Sequence, residues 1–180
     1  MATEFGPAGA DLDAVEHRVK HSRAGWFLQE HCYEYTYVGS WYGPTRDSKI
    51  PERSRYPDAE LSFTSALYDL SLLPVLFGGS EGSSGHCREH ADAVEYQFDV
   101  LGSIAGEPGR QYVFAHILEP HKPFVFLEDG TYAPDEATFA TQLADANCRI
   151  RAFVEPLISL PESKRPIIIQ GDGSLPGAIP

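Results

Sequence analysis

Two histidines five residues apart, His116 and His121, stand in the segment HILEPHKPF, with Pro120 and Pro123 on either side of the second. An imidazole can ligate a metal ion or donate to an oxyanion. Prolines restrain such a loop and reduce the entropy lost when it binds. On spacing alone His116 reads first as a satisfied, buried histidine at a strand end. His121, beside Lys122, is evenly balanced between a site role and an ordinary loop position. Asp172 lies further on, in GDGS. A carboxylate there suits a hard cation, yet Asp before Gly is commonly a turn residue or helix cap, and that plainer reading is preferred on spacing alone.

Other chemistry-bearing residues are weaker candidates. Ser40, Trp41 and Thr45 follow the strand-like run YEYTYVG. His17 and His21 are four apart, but HRVKH lacks the glutamate of HExxH; with His31 they read as surface residues. His86 and His90 share that spacing beside Cys87, a faint zinc pattern. Cys32, Cys87 and Cys148 are odd in number, widely spaced and free of any CxxC pair. They read as buried free thiols rather than a zinc knuckle or disulfide framework. No GxxxxGK[ST] or GxGxxG occurs, so no phosphate loop is present.

The elements that must position these groups can be read from periodicity. Residues 1–10 are small and Gly- and Pro-containing, and are expected to be disordered. Leu12, Val15, Val19 and Trp26 predict a helix over 11–32, with Gly25 as its weak point. Residues 33–39 predict a strand, and 40–57 a long polar loop. Residues 58–77 return to helical spacing. Residues 78–85, GGSEGSSG, predict a flexible connector. A helix is expected over 87–103, a strand over 111–118, a loop over 119–134 and a helix over 136–159 that Pro156 ends or kinks. Residues 166–170, PIIIQ, predict a last, fully apolar strand.

Strands separated by helical crossovers imply an α/β fold with a mainly parallel sheet flanked by helices. Residues 11–180 form one domain on this reading. Three strands are few for a covered sheet, where about five or six is usual, so the sheet is expected to be partial. In open α/β sheets ligands bind beyond the carboxyl ends of the strands. Ser40 and Trp41, then His116 and His121, then Asp172 each follow such an end.

Bulk properties narrow the partners. A formal net charge of −12 argues against a nucleic-acid backbone, which needs clustered cations. It leaves an anionic substrate open, because a metal ion can invert the local field. No apolar run approaches the roughly 20 residues that span a bilayer, and the first residues lack the basic and apolar regions of a signal peptide. Membrane insertion by this chain is not expected.

Two stretches, YEYTYVGSWYGPTRD and YVFAHILEPHKPFVFLEDG, resemble the sulfatase-like branch of the alkaline phosphatase superfamily, whose nearest look-alikes are bacterial membrane-anchored proteins. The second resembles the family's HxxxPHxPF segment. FATQLADANCRI is similar to its Gln- and Asn-bearing helix, and PIIIQGDG to the strand that ends in an acidic metal ligand. The likeness runs from about residue 23 to 172. It implies an alkaline-phosphatase-like core, a phosphate or sulfate ester substrate and a divalent cation, with Mn, Ca, Mg and Zn not distinguished. It implies Asp172 as a metal ligand and His121, with His116, as donors to substrate oxygens.

The chain also departs from the family. Gly173 stands where the family has His, Asn or Glu after the ligand, nothing in residues 1–20 resembles the segment bearing its nucleophile and first acidic ligands, and its C-terminal His region is lacking. No catalytic residue is therefore assigned. The expectation is a fragment or divergent member of a metal-dependent phosphate/sulfate ester hydrolase or phospho-group transferase family, nearly inactive alone. The alternative is a non-catalytic anion-binding module that kept the fold. Missing strands would expose a sheet edge, so self-association is expected.

Overall fold

A computed structural model of the chain describes residues 12–55, 81–159 and 166–171. The elements are α1 (Leu12–Lys20), α2 (Arg23–Glu30), β1 (Glu34–Val38), a 3-10 turn (Gly43–Thr45), β2 (Arg53–Arg55), α3 (Glu81–Ala105), β3 (Gln111–Ala115) and α4 (Phe139–Ser159). The three strands form an open sheet in the order β2-β1-β3, with both pairings parallel. The architecture is thus α/β, with a small parallel sheet between helices.

The sheet's two faces follow from alternation along the strands. Tyr35 and Tyr37 pair in register with Tyr112 and Phe114 and build an aromatic face. Ring centroids are 4.8 Å apart for Tyr35–Tyr112 and 5.1 Å for Tyr37–Phe114. Helix α2 packs on this face, and Gly25 makes the approach possible, since a Cβ there would lie 2.5 Å from the Tyr35 ring. The opposite face carries Val38, Val113 and Ala115, which pack with Leu101 and Ile104 of α3 and Phe153 of α4. A second cluster joins Ala91 and Val94 of α3 to Val125 and Phe126 of the loop after β3. Full burial of a valine, leucine, isoleucine or phenylalanine among them supplies about 1.5–3 kcal/mol.

Several expectations are corrected. The helix expected over 11–32 is two helices, broken at His21–Ser22; the Ser22 hydroxyl caps α2 by accepting the Gly25 N–H at 3.2 Å. The polar loop expected over 40–57 contains β2. Its sequence, RSR, has no apolar signal because β2 is a short edge strand, held through Arg53 to Glu34 and Glu107 at 2.6 Å each.

Residues 166–170 are not a strand. They are exposed, with Ile168 at 87%, and pair with nothing among the described residues. Apolar composition alone does not satisfy a strand's backbone groups; a neighbouring strand must. The connector expected over 78–85 is helical from Glu81 onward, because α3 is stabilised by the packing of its middle rather than by its Gly- and Ser-rich start. Helix α4 continues past Pro156 for one more turn.

The cysteines are free, but Cys32 and Cys148 are exposed and Cys87 is only partly buried. Cys32 has a φ of 61° just after α2. There its N–H bonds the Gln29 carbonyl while that of Tyr33 bonds Leu28, both at 3.0 Å, the Schellman pattern that ends a helix. The helix expected over 58–77 and the residues expected to be disordered, 1–10, lie outside the described residues.

Candidate functional site

The site is built where β1 and β3 end side by side. Val38 and Ala115 are register partners, and the residue just after β3, His116, gives its N–H to the Val38 carbonyl at 3.1 Å. Beyond β1 the chain turns sharply through Gly39. A Cβ there would collide with the carbonyl of Arg46, so glycine is what lets the 3-10 turn fold back onto the strand tip. The turn brings Thr45 to Ser40, with their hydroxyls 2.9 Å apart. Both reach the His116 ring: Nδ1 is 2.6 Å from the Thr45 hydroxyl and 3.3 Å from that of Ser40. Ser40 Oγ also accepts the Tyr42 N–H at 3.2 Å, and the Tyr42 ring stands edge-on to His116 at 6.3 Å. The hydroxyls fix the imidazole's orientation.

Helix α3 locks the two strand tips together. The amide of Gln97 donates to the carbonyls of Gly39 at 2.6 Å and His116 at 2.8 Å, and the side chain is buried. Helix α4 does the same for the loop that carries His121. Gln142 is fully buried. Its Oε1 accepts the Val125 N–H at 2.6 Å and the Phe126 N–H at 3.3 Å, while its Nε2 donates to the His121 carbonyl at 2.9 Å. The loop's peptide bonds before Pro120 and Pro123 are cis.

His121 itself is exposed, with Nδ1 2.7 Å from the Lys122 carbonyl oxygen. Its ring lies 6.1 Å from that of Trp41, so it belongs to the same edge of the sheet as Ser40 and His116. His90 of α3 joins from the other side, accepting the Trp41 indole N–H on Nδ1 at 3.0 Å. Burial first, then the neighbouring His86 and His121, push the His90 pKa down to about 4. The ring is neutral at physiological pH.

Between His116 and His121 in the sequence, Glu119 has buried carboxyl oxygens that meet no hydrogen-bond partner among the described residues. Burial and the nearby Asp145 charge raise its pKa to about 8, against the pull of Arg149. Asp145 itself is paired with Arg149 at 2.7 Å.

Of the three residues singled out by sequence, the structure thus sets His116 and His121 around the tip of β1, while Asp172 lies outside the described residues. Among the described residues, no three His, Cys, Asp or Glu side chains converge as a ligand set. The described donors do not by themselves form a cage for a divalent cation. Gln97, the clamp that Gln142 makes on the loop and the buried position of His90 were not foreseen. The usable signal for Gln97 was an amide set among Val94, Phe98 and Leu101 on an apolar helix face, where a polar side chain must find partners.

These features define the class as a small parallel α/β domain with a hydroxyl- and imidazole-lined edge. The chain matches no family model, no curated protein and no solved structure.

Proposed function

We propose that the chain is a divergent or partial member of the metal-dependent phosphate/sulfate ester hydrolase or phospho-group transferase lineage, and that its described edge binds the oxyanion of such an ester. The observation that carries this reading is the meeting of Ser40, Thr45 and His116 at adjacent parallel strand tips, with His121 brought to the same edge against Trp41. Hydroxyls and imidazoles gathered at one sheet edge suit anionic oxygens, and donors held rigidly are worth more than mobile ones. In this reading His116 and His121 bind substrate oxygens and Asp172 supplies one metal ligand. Turnover by this chain alone is slight.

A non-catalytic anion-binding module is the second reading. It is favoured by the hydroxyls and imidazoles at the described edge, with Lys122 beside His121 to hold the anion.

The test is calorimetric titration with inorganic phosphate and sulfate, with and without Mn or Zn, together with hydrolysis of aryl phosphate and aryl sulfate. Binding that weakens in His116→Ala and His121→Ala supports the oxyanion site. Slow metal-dependent hydrolysis that vanishes in Asp172→Ala supports the enzyme reading. Binding of neither anion, with or without metal, overturns both readings. Hydrolysis indifferent to chelator and to Asp172→Ala overturns the metal-dependent one.

A further inference from the structure

Trp41 is surrounded by three imidazoles from two other parts of the chain. The rings of His86 and His90, on α3, and of His121, in the loop after β3, each lie 6.1 Å from the indole, inclined at 69°, 74° and 75°. His90 is 1% exposed, and its two nitrogens are in opposite situations. Nδ1 faces the Trp41 indole nitrogen at 3.0 Å. An indole N–H can only donate, so Nδ1 is the acceptor and the neutral ring carries its proton on Nε2. That Nε2 is buried and has no hydrogen-bond partner among the described residues. An unmet buried donor costs about 1–3 kcal/mol, and native structures seldom retain one without a use.

The tautomer also decides what Nε2 can take. A metal ion needs the lone pair, which the Trp41 bond places on Nδ1 instead. What the buried Nε2–H lacks among the described residues is an acceptor.

We propose that His90 Nε2–H, on a ring held by Trp41 beside the same indole as His86 and His121, is a subsite for an anionic oxygen of a phosphate or sulfate group. This rests on the reading that the same sheet edge takes an oxyanion, and adds α3 to the binding elements. Trp41 is the positioning residue: by holding Nδ1 it keeps the donor on Nε2. His90 stays uncharged at neutral pH, so its contribution is a directed hydrogen bond and not a net positive charge.

The test uses the full chain labelled with 15N-histidine. Long-range proton–nitrogen spectra report each ring's tautomer before and during titration with inorganic phosphate, then with sulfate. The expected result is a His90 Nε2–H tautomer whose Nε2 signal moves with anion and saturates. Anion affinity is expected to fall about tenfold in His90→Leu and to be largely kept in His90→Gln, which retains an N–H donor.

A His90 ring protonated on Nδ1 in the wild type, which needs no variant to detect, overturns the proposal. So does wild-type affinity in a folded His90→Leu. Anion that moves His116 and His121 but not His90 defeats this subsite and leaves the oxyanion reading standing. Anion that moves His90 but not His116 supports the subsite and removes His116 from the site. Anion that moves none of them overturns both.

Discussion

The Gln97 amide meets the main-chain oxygen of His116 at 2.8 Å. The same nitrogen reaches the Gly39 carbonyl at 2.6 Å, so one buried side chain sets the spacing of two strand tips. Gln97→Leu keeps the volume but removes the donor to both carbonyls. We expect it to lower stability by about 2–3 kcal/mol in urea unfolding, and to weaken anion binding in the fraction that stays folded. Unchanged stability would show that the carbonyls find other partners.

Gln142→Leu is expected to act on the loop. It removes the acceptor for the Val125 and Phe126 amides and the donor to His121. Hydrogen exchange should accelerate at residues 125 and 126 well before global unfolding, with a stability loss of about 2–4 kcal/mol. Protection equal to wild type would contradict the clamp.

Glu119 should make stability fall as the solution becomes more alkaline. Its pKa is raised on folding to about 8, so the folded chain holds a proton that the unfolded chain gives up. The associated stabilisation is complete below the ordinary carboxyl range and is lost as pH climbs through about 8. Within that window the slope is at most about 1.4 kcal/mol per pH unit. Glu119→Gln should flatten this part of the curve and be more stable than wild type at the alkaline end. Parallel curves for the two proteins would refute it.

The thiols should separate by reactivity. Cys32 and Cys148 are exposed, and an aromatic disulfide reagent should label them quickly. Cys87 is partly buried and its pKa is raised, by burial and then by Asp135, so it should react slowly until denaturant is added. Equal rates for all three would be inconsistent with this arrangement.

Self-association is expected to grow with concentration. Trp26, Phe27 and Ile167 to Ile169 are exposed apolar residues, and β2 and β3 are edge strands among the described residues. Sedimentation velocity should show a concentration-dependent increase that Ile168→Lys reduces. A concentration-independent monomer would exclude it.

What could be read from the sequence depended on whether a residue's partners were near it in the chain. β1, β3 and the middle of α3 were legible because Tyr35 to Val38, Tyr112 to Ala115, and Val94 with Leu101 carry their own patterns of apolar residues. β2 was not, because Arg53, Ser54 and Arg55 become a strand only by pairing with Thr36 to Val38. Ile167 to Ile169 erred the other way, with strand composition and no pairing.

At the site, His116 and His121 stood out through their prolines and spacing. The buried role of His90 did not, because its bond comes from Trp41, 49 residues earlier. The His86–His90 spacing carried only a faint zinc pattern, and the Trp41 contact assigns the His90 lone pair to Nδ1.

Gln142 has an evolutionary consequence. One amide serves both the carbonyl of His121 and the N–H groups of Val125 and Phe126. Insertions or deletions between those positions would change which groups it can reach. Relatives of this chain should therefore show covariation between position 142 and the length of the intervening loop.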